Sequence, residues 1–293
     1  MLPRIACVTH RGSADSDPDL PLAVAALREA RLAAEAIAWD AEVDWAEFDL
    51  VLVRSPWDYP GRRAEFLRWA RDVEARTALA NPALTLARNT DLTYLRDLAR
   101  QGIPTIDSIW LEPGDSPAQC EQEIRRRGWA QCLVRPNIGD EDTVAGIVAD
   151  ADEAVRVAAG LIAGGSLAVV EEAVEGDGEV CVVVIDGRLS HAVRGPRPRA
   201  GRPGSPAEAV AIGADLADAV GEILPVAAGE DELLYARVDL VPGPQGWLLR
   251  AFEATAPRLF LDSAAGAADD LAWAVRQRVI PDARESDFLA GSG

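Results

Sequence analysis

YARVDLVPGPQGWLLRAFEATAPRLFL, residues 235–261, places two apolar arms around a Pro/Gly-rich turn. PGPQG at 242–246 cannot continue a strand, so the flanking LLYARVDLV and GWLLRAFEAT read as a β-hairpin. Each arm is interrupted by one carboxylate near its core end, Asp239 in the first and Glu253 in the second. A buried carboxylate without a partner costs on the order of several kcal/mol, so each needs one. Two carboxylates on facing strands can share a divalent cation, and Mg²⁺ held between such groups and substrate phosphates is a common arrangement. A salt bridge to Arg237, Arg250 or Arg258 meets the same need, and both readings stand at this point.

Working upstream, GEVCVVVIDGRLSHAVRG (178–195) is a second hairpin, turned at Asp186-Gly187. The Pro/Gly/Arg-rich stretch 194–206 reads as a loop, and helices are expected at 207–222 and near 263–278. The N-terminal third alternates strand and helix. Strands are expected at 4–9 and 48–55, helices at 21–36 and 61–76, and a short apolar stretch at 35–39. Phe66, Trp69 and Val73 share one face of the second helix. This alternation implies a parallel sheet covered by helices. The middle third repeats it: a helix capped by Asn89 or Thr90 and running to Arg100, a strand at 104–111, a helix at 116–128 and a strand at 131–136. Strand, helix and strand then follow in 143–150, 151–164 and 167–174. The expected organisation is α/β with an α+β C-terminal part, in three units: 1–82, 83–174 and 175–293.

Composition narrows the function. The 293 residues carry a net charge of −19, and all 29 basic residues are Arg. That charge repels phosphate backbones and argues against nucleic acid as a partner. It leaves room for a small phosphorylated ligand bridged by a cation. Cys7, Cys120, Cys132 and Cys181 are scattered with no CxxC pair, as expected of reduced thiols in a cytoplasmic protein. No apolar stretch approaches the ~18 residues of a membrane span, and two His leave little for a zinc site.

Asn-Pro at 81–82, ARNTDLTYLRDLARQGIPTI at 87–106, LVRP at 133–136, the 171–195 segment and the 235–261 hairpin follow one another in an order that resembles the ATP-grasp superfamily. DW…FDLVLVRSPWDY at 44–59 and HAVRG at 191–195 resemble one branch of it, which contains the cyclo-ligase that forms D-cycloserine. The resemblance implies an ATP-grasp fold of three subdomains, with ATP between the last two. It implies acyl-phosphate formation on a small, amino-acid-like carboxylate, followed by capture by a nucleophile. Glu171, Glu172 and Val174 would form the hinge that meets adenine, with Arg135 at the phosphates and Glu179 near the ribose or substrate. Arg237 and Arg194 would face phosphate or a substrate carboxylate, and Asp239 and Glu253 would hold Mg²⁺.

The chain departs from the branch pattern. Leu92 and Arg135 stand where phosphate-contacting lysines are usual, and Gly195 where a third basic residue is. Ala251 replaces a carboxylate two positions before Glu253, and Ala256 replaces another acid. Arginine keeps the charge at 135 with a planar donor geometry, whereas Leu92 brings none. Two classes of function therefore compete: a ligase that uses Arg135, Arg194 and Arg237, or a homologue without ATP chemistry that binds a ligand or partner. A hydrolase or isomerase reusing the cleft is a third.

Other residues carry paired readings. His191 is a general acid/base or a structural strand His. The loop 137–142 is a ligand loop or a solvated turn. His10, Asp15, Asp17 and Asp19 follow the first strand, where α/β sheets place ligands, or form a solvated loop. Arg54, Trp57 and Tyr59 line a substrate pocket or pack between domains. The oligomeric state, monomer or homodimer, stays open.

Overall fold

The structure, a computed structural model, describes residues 1–12, 17–139, 147–173, 179–194 and 207–281. It is built on three sheets. The first contains β1 (Arg4–Thr9), β2 (Ala33–Ala38), β3 (Leu50–Ser55) and β4 (Ala78–Ala80), all parallel, in the order β2-β1-β3-β4. Helices α1 (Asp19–Glu29) and α2 (Arg63–Glu74) lie between its strands in sequence. Trp39, Trp45, Phe48, Tyr59 and Phe66 fill one face of this sheet, with Trp69 packed against them.

Two short helices follow, α3 (Ala83–Asn89) and α4 (Thr93–Arg100). The second sheet is antiparallel, in the order β5-β8-β6-β7, from β5 (Ser108–Leu111), β6 (Cys132–Pro136), β7 (Ile147–Ala149) and β8 (Ala168–Glu172). Helices α5 (Pro117–Arg127) and α6 (Ala151–Ala163) belong to this unit.

The third sheet runs β11-β10-β9-β12-β13, from β9 (Val180–Ile185), β10 (Arg188–Arg194), β11 (Glu208–Val210), β12 (Tyr235–Gly243) and β13 (Gly246–Glu253). Asp186 and Gly187 both take positive φ, +49° and +73°, as the tight turn between β9 and β10 requires. One face packs on α4 and on α7 (Ala214–Ala228). The other contributes Val183, Ile185 and Tyr235 to a core shared with the first sheet, α1 and α8 (Ala267–Val279). The first and last thirds of the chain thus bury apolar surface in common.

Four local expectations are corrected. The expected helix 21–36 stops at Glu29, where Arg31 turns at φ +60°, and Ala33–Ala38 is a strand paired with β1. Alanine favours helix, but pairing in the sheet outweighs that weak preference. The expected helix 207–222 is instead an edge strand, β11, followed by α7, which begins after Gly213 and continues through Pro225 to Ala228. Neither Asn89 nor Thr90 caps α4. The Asp91 carboxylate accepts the Thr93 N–H there, and Asn89 ends α3. The strand expected at 104–111 is shortened to Ser108–Leu111, because Thr105 bridges to Leu249 instead.

Candidate active site

Period-2 alternation puts Arg237 and Asp239 on one face of β12, and β13 sets Glu253 opposite Arg237 and Ala251 opposite Asp239. Asp239 is wholly buried. Its carboxylate accepts Arg237 Nε at 2.9 Å and Nη2 at 3.2 Å, a bidentate pair, while Arg237 Nη1 donates to the Arg258 carbonyl at 3.1 Å. Of the two ways to satisfy Asp239 read from sequence, the ion pair with Arg237 is therefore formed. Asp239 also neighbours Cys181 on β9, and Glu179, Cys181 and Asp239 bring one ligand atom each within 4.8 Å of one another.

The loop that leaves β13 is held from several directions. Asn89 Oδ1 accepts the N–H groups of Ala254 and Thr255 and the Thr255 hydroxyl, and its Nδ2 donates to the Phe252 carbonyl. Asn81, at φ +63°, donates to the Tyr235 and Ala254 carbonyls and accepts from Leu234 N–H. Trp57 Nε1 donates to the Ala256 carbonyl and Arg54 Nη2 to that of Pro257. The Asp19 carboxylate accepts the N–H groups of Leu259, Phe260 and Leu261. Asp19, Arg54 and Trp57 thus clamp this loop, and Asp17 and Asp19 are buried rather than solvated. Tyr59 is also buried and donates to the Gly139 carbonyl.

His191 Nε2 lies 2.8 Å from the Leu259 carbonyl, and Ser190 Oγ lies 3.0 Å from Nδ1. Burial pushes the imidazole below its ordinary range, so it is neutral and donates through Nε2. His10 Nδ1 lies 2.8 Å from the Ser55 carbonyl.

On the second sheet, Arg135 and Glu171 are buried together. Arg135 Nη2 donates to Glu171 Oε1 at 2.8 Å, and Ser108 Oγ donates to the same oxygen. Among the described residues, Arg135 Nε and Glu171 Oε2 have no hydrogen-bond partner. Glu171 borders a cleft of about 400 Å³, also lined by Ser108, Trp110, Arg96 and Leu249. Glu172 and Arg194 are exposed at the ends of β8 and β10. Leu92 is buried in the apolar cluster with Val169, Val182 and Leu240. Val174, Gly195, Asp15 and the acids at 140–142 lie outside the described residues.

The structure therefore gathers Arg237, Asp239 and Glu253 on one hairpin face, with Glu179 alongside, and pairs Arg135 with Glu171 elsewhere. Sequence reasoning missed Asn89 and Asp19 as clamps. Asp19 left a faint signal, an acid beginning a helix directly after a sheet-edge loop, but its partners lie 240 to 242 positions away.

Comparison with known proteins bears on the fold. The family model described as D-cycloserine synthetase DcsG, N-terminal domain, matches residues 5–81. The cycloserine biosynthesis protein DcsG of Streptomyces lavendulae is 34% identical over 197 residues, which are 64% of this chain and 66% of that protein, just short of two thirds. The crystal structure of D-cycloserine synthetase DcsG superposes with a TM-score of 0.83 at 28% identity, covering 94% of this chain and 99% of that one. The ATP-grasp ligase PsnB, in complex with a precursor variant, Mg and ADP, gives a TM-score of 0.65 at 18% identity, covering 94% and 98%. The fold is that of the ATP-grasp ligases. In sequence and in fold the chain is similar to the cycloserine branch represented by DcsG.

Proposed function

We propose that this chain is an ATP- and Mg²⁺-dependent ligase or cyclo-ligase of specialised metabolism, acting in the cytoplasm. It activates a small, amino-acid-like carboxylate as an acyl phosphate. The observation that carries this reading is the buried Arg237–Asp239 pair, with Glu253 in register beside it under a clamped loop. The likeness to D-cycloserine synthetase over nearly the whole chain supports it. In this reading residues 1–82, 83–174 and 175–293 are the three subdomains, and nucleotide lies between the last two.

The donor groups suit both ligands. An adenine edge offers a donor beside an acceptor, which complements Glu171 Oε2 and Arg135 Nε, two buried polar atoms without a partner among the described residues. Glu172 and Val174 continue that hinge, and Glu179 takes the ribose or substrate. Mg²⁺ needs only one or two carboxylates when phosphates and water complete its shell, and Asp239 and Glu253 are those carboxylates. Bound there, the ion would supply neutralisation of phosphate charge. Arg237, fixed by Asp239 and the Arg258 carbonyl, presents a preorganised positive charge to the transferred group. Arg194 faces the substrate carboxylate, and His191 holds the Leu259 carbonyl in place.

Titration with Mg-ATP, followed by calorimetry and thermal unfolding, tests the reading. Bound nucleotide raises the melting temperature by mass action. Asp239→Asn and Glu253→Gln should then abolish turnover in a folded protein, and retained turnover in both would refute the metal assignment. Silence at millimolar Mg-ATP would leave the second reading, a homologue without phosphoryl transfer. The apolar burial of Leu92 and Ala251 favours that second reading, since neither brings charge to the cleft.

A further inference from the structure

Phe260 takes a backbone φ of +53°, a conformation that bulky residues rarely adopt and that the surrounding structure must enforce. Asp19 accepts the N–H groups of Leu259, Phe260 and Leu261, His191 holds the Leu259 carbonyl, and Ser263 N–H donates to the Phe260 carbonyl. One aromatic ring is thereby fixed in place. Two guanidinium groups approach it, Arg237 at 5.8 Å and Arg258 at 4.8 Å from the ring centroid. Arg237 Nη1 also donates to the Arg258 carbonyl, so the backbone ties the two positions together. Arg54 in β3 and Trp57 just beyond it hold the neighbouring Pro257 and Ala256 carbonyls. Arg258 therefore stands beside the carboxyl end of a parallel strand, where α/β folds place ligands.

The two cations are used differently. Arg237 is bidentate on the wholly buried Asp239, which offsets its charge inside the site. Arg258 pairs with Asp262, four positions on, with Nη2 3.4 Å from Oδ2 and the side chains 35% and 46% exposed. An exposed pair of this kind contributes little to stability. Arg258 Nε, by contrast, is buried and has no hydrogen-bond partner. Arg258 is thus a cation laid on an aromatic face, open to solvent on one side, with an unused N–H on the other. That is the equipment with which an arginine takes a planar carboxylate through two donors.

We propose that Arg258 reads a second carboxylate on the substrate, so that the amino-acid-like acid activated here is a dicarboxylic amino acid. This rests on the ligase reading above. Arg237 lies at the carboxylate that is activated, and Arg258 holds the other one across Phe260, whose ring sets the spacing between the two cations. Arg258 determines specificity and takes no part in phosphoryl transfer.

The test follows Mg-ATP turnover with both enantiomers of aspartate and glutamate, and with their neutral amides asparagine and glutamine. Hydroxylamine stands in for the nucleophile: its nitrogen bonds to the acyl carbon, inorganic phosphate leaves, a proton passes to solvent, and the hydroxamate is read alongside ADP release. The wild type should show a KM about ten- to a hundredfold lower for an acid than for its amide, as expected for a charged hydrogen bond. Arg258→Met should erase that preference, the loss falling on KM rather than kcat, and Arg258→Lys should recover part of it. A wild type that turns over ATP without preferring any acid to its amide overturns the proposal. So does an Arg258→Met variant that keeps the preference, or one that loses equally on acid and amide, because the residue then only supports the loop. Circular dichroism and unfolding midpoints verify that each variant is folded, and if Arg258→Met is not, Arg258→Gln decides by the same comparison. A wild type that neither binds Mg-ATP by calorimetry nor releases ADP fails the ligase reading itself. One that binds Mg-ATP but acts on no acid fails the present proposal alone.

Discussion

The carboxylate of Asp19 accepts the backbone N–H of Leu259 at 2.6 Å, joining the start of α1 to the loop beyond β13 across 240 positions of sequence. The same side chain accepts from Phe260 and Leu261, at 3.1 and 2.9 Å, and lies 3.7 Å from Arg54 Nη2. The first sheet therefore shapes the loop that carries Arg258, whose carbonyl receives Arg237. Asp19→Ala strips three N–H groups of their acceptor and leaves Arg54 buried without its counter-charge. The expected loss is roughly 3–5 kcal/mol, the range for breaking a buried pair. Urea unfolding measures it, and a loss below about 1 kcal/mol would show that the clamp is dispensable.

Asn89 uses both halves of its amide, accepting three hydrogen bonds from Ala254 and Thr255 and donating one at 2.6 Å to Phe252. Asn89→Asp preserves the acceptor half but sets a carboxylate oxygen against the Phe252 carbonyl. The variant should be destabilised by about 1–3 kcal/mol at neutral pH, the cost of a lost partner and a facing acceptor. Protonating the new carboxyl restores a donor, so the deficit relative to wild type should narrow as pH falls. A deficit that is constant with pH would contradict this account.

Burial lowers the His191 pKa below its ordinary value of 6.5. The unfolded chain then binds a proton that the folded chain refuses. This contribution is complete above about pH 6.5 and declines as pH drops from there toward the lowered folded value. His191→Gln, which can still donate to the Leu259 carbonyl, removes the titration. Comparison of urea midpoints at about pH 7.5 and about pH 5 should show a smaller acid loss in the variant. Equal losses would exclude His191 as the source.

Ala251 faces Asp239 across the hairpin and is 1% exposed. Ala251→Glu would add a carboxylate to the two proposed for Mg²⁺. Without the ion, a new buried negative charge should lower the melting temperature. With it, mass action should return about 2.7 kcal/mol once the ion exceeds its dissociation constant a hundredfold. The Mg²⁺-dependent rise in melting temperature should therefore exceed that of the wild type. Equal rises in both proteins would argue that no cation meets Asp239.

Both C-terminal hairpins were legible in the sequence because their turns are chemically explicit: Asp186-Gly187 adopts the left-handed backbone its composition suggests, and the PGPQG stretch closes the second. The parallel first sheet was legible for a similar reason, since its apolar runs at 4–9 and 48–55 are too continuous to face water. Ala33–Ala38 was not legible, because alanine states little about β pairing and only the neighbouring β1 makes it a strand. The site divides along the same line. Asp239 and Glu253 stand out as charges within apolar arms. Asp19 and Asn89 act through partners that no local pattern encodes.

None of the four cysteines is in a disulfide, all four are buried, and they are distributed among the three sheet units. Cys7 is in β1, Cys132 in β6 with Cys120 on α5 beside it, and Cys181 is in β9. Burial raises the Cys7 pKa to about 12 and that of Cys120 to about 11, so neither offers thiolate to a reagent while folded. Each sheet thus carries a silent reporter of its own opening. Pulsed alkylation read by mass spectrometry would time when each of the three exposes its interior, using only the cysteines already in the chain.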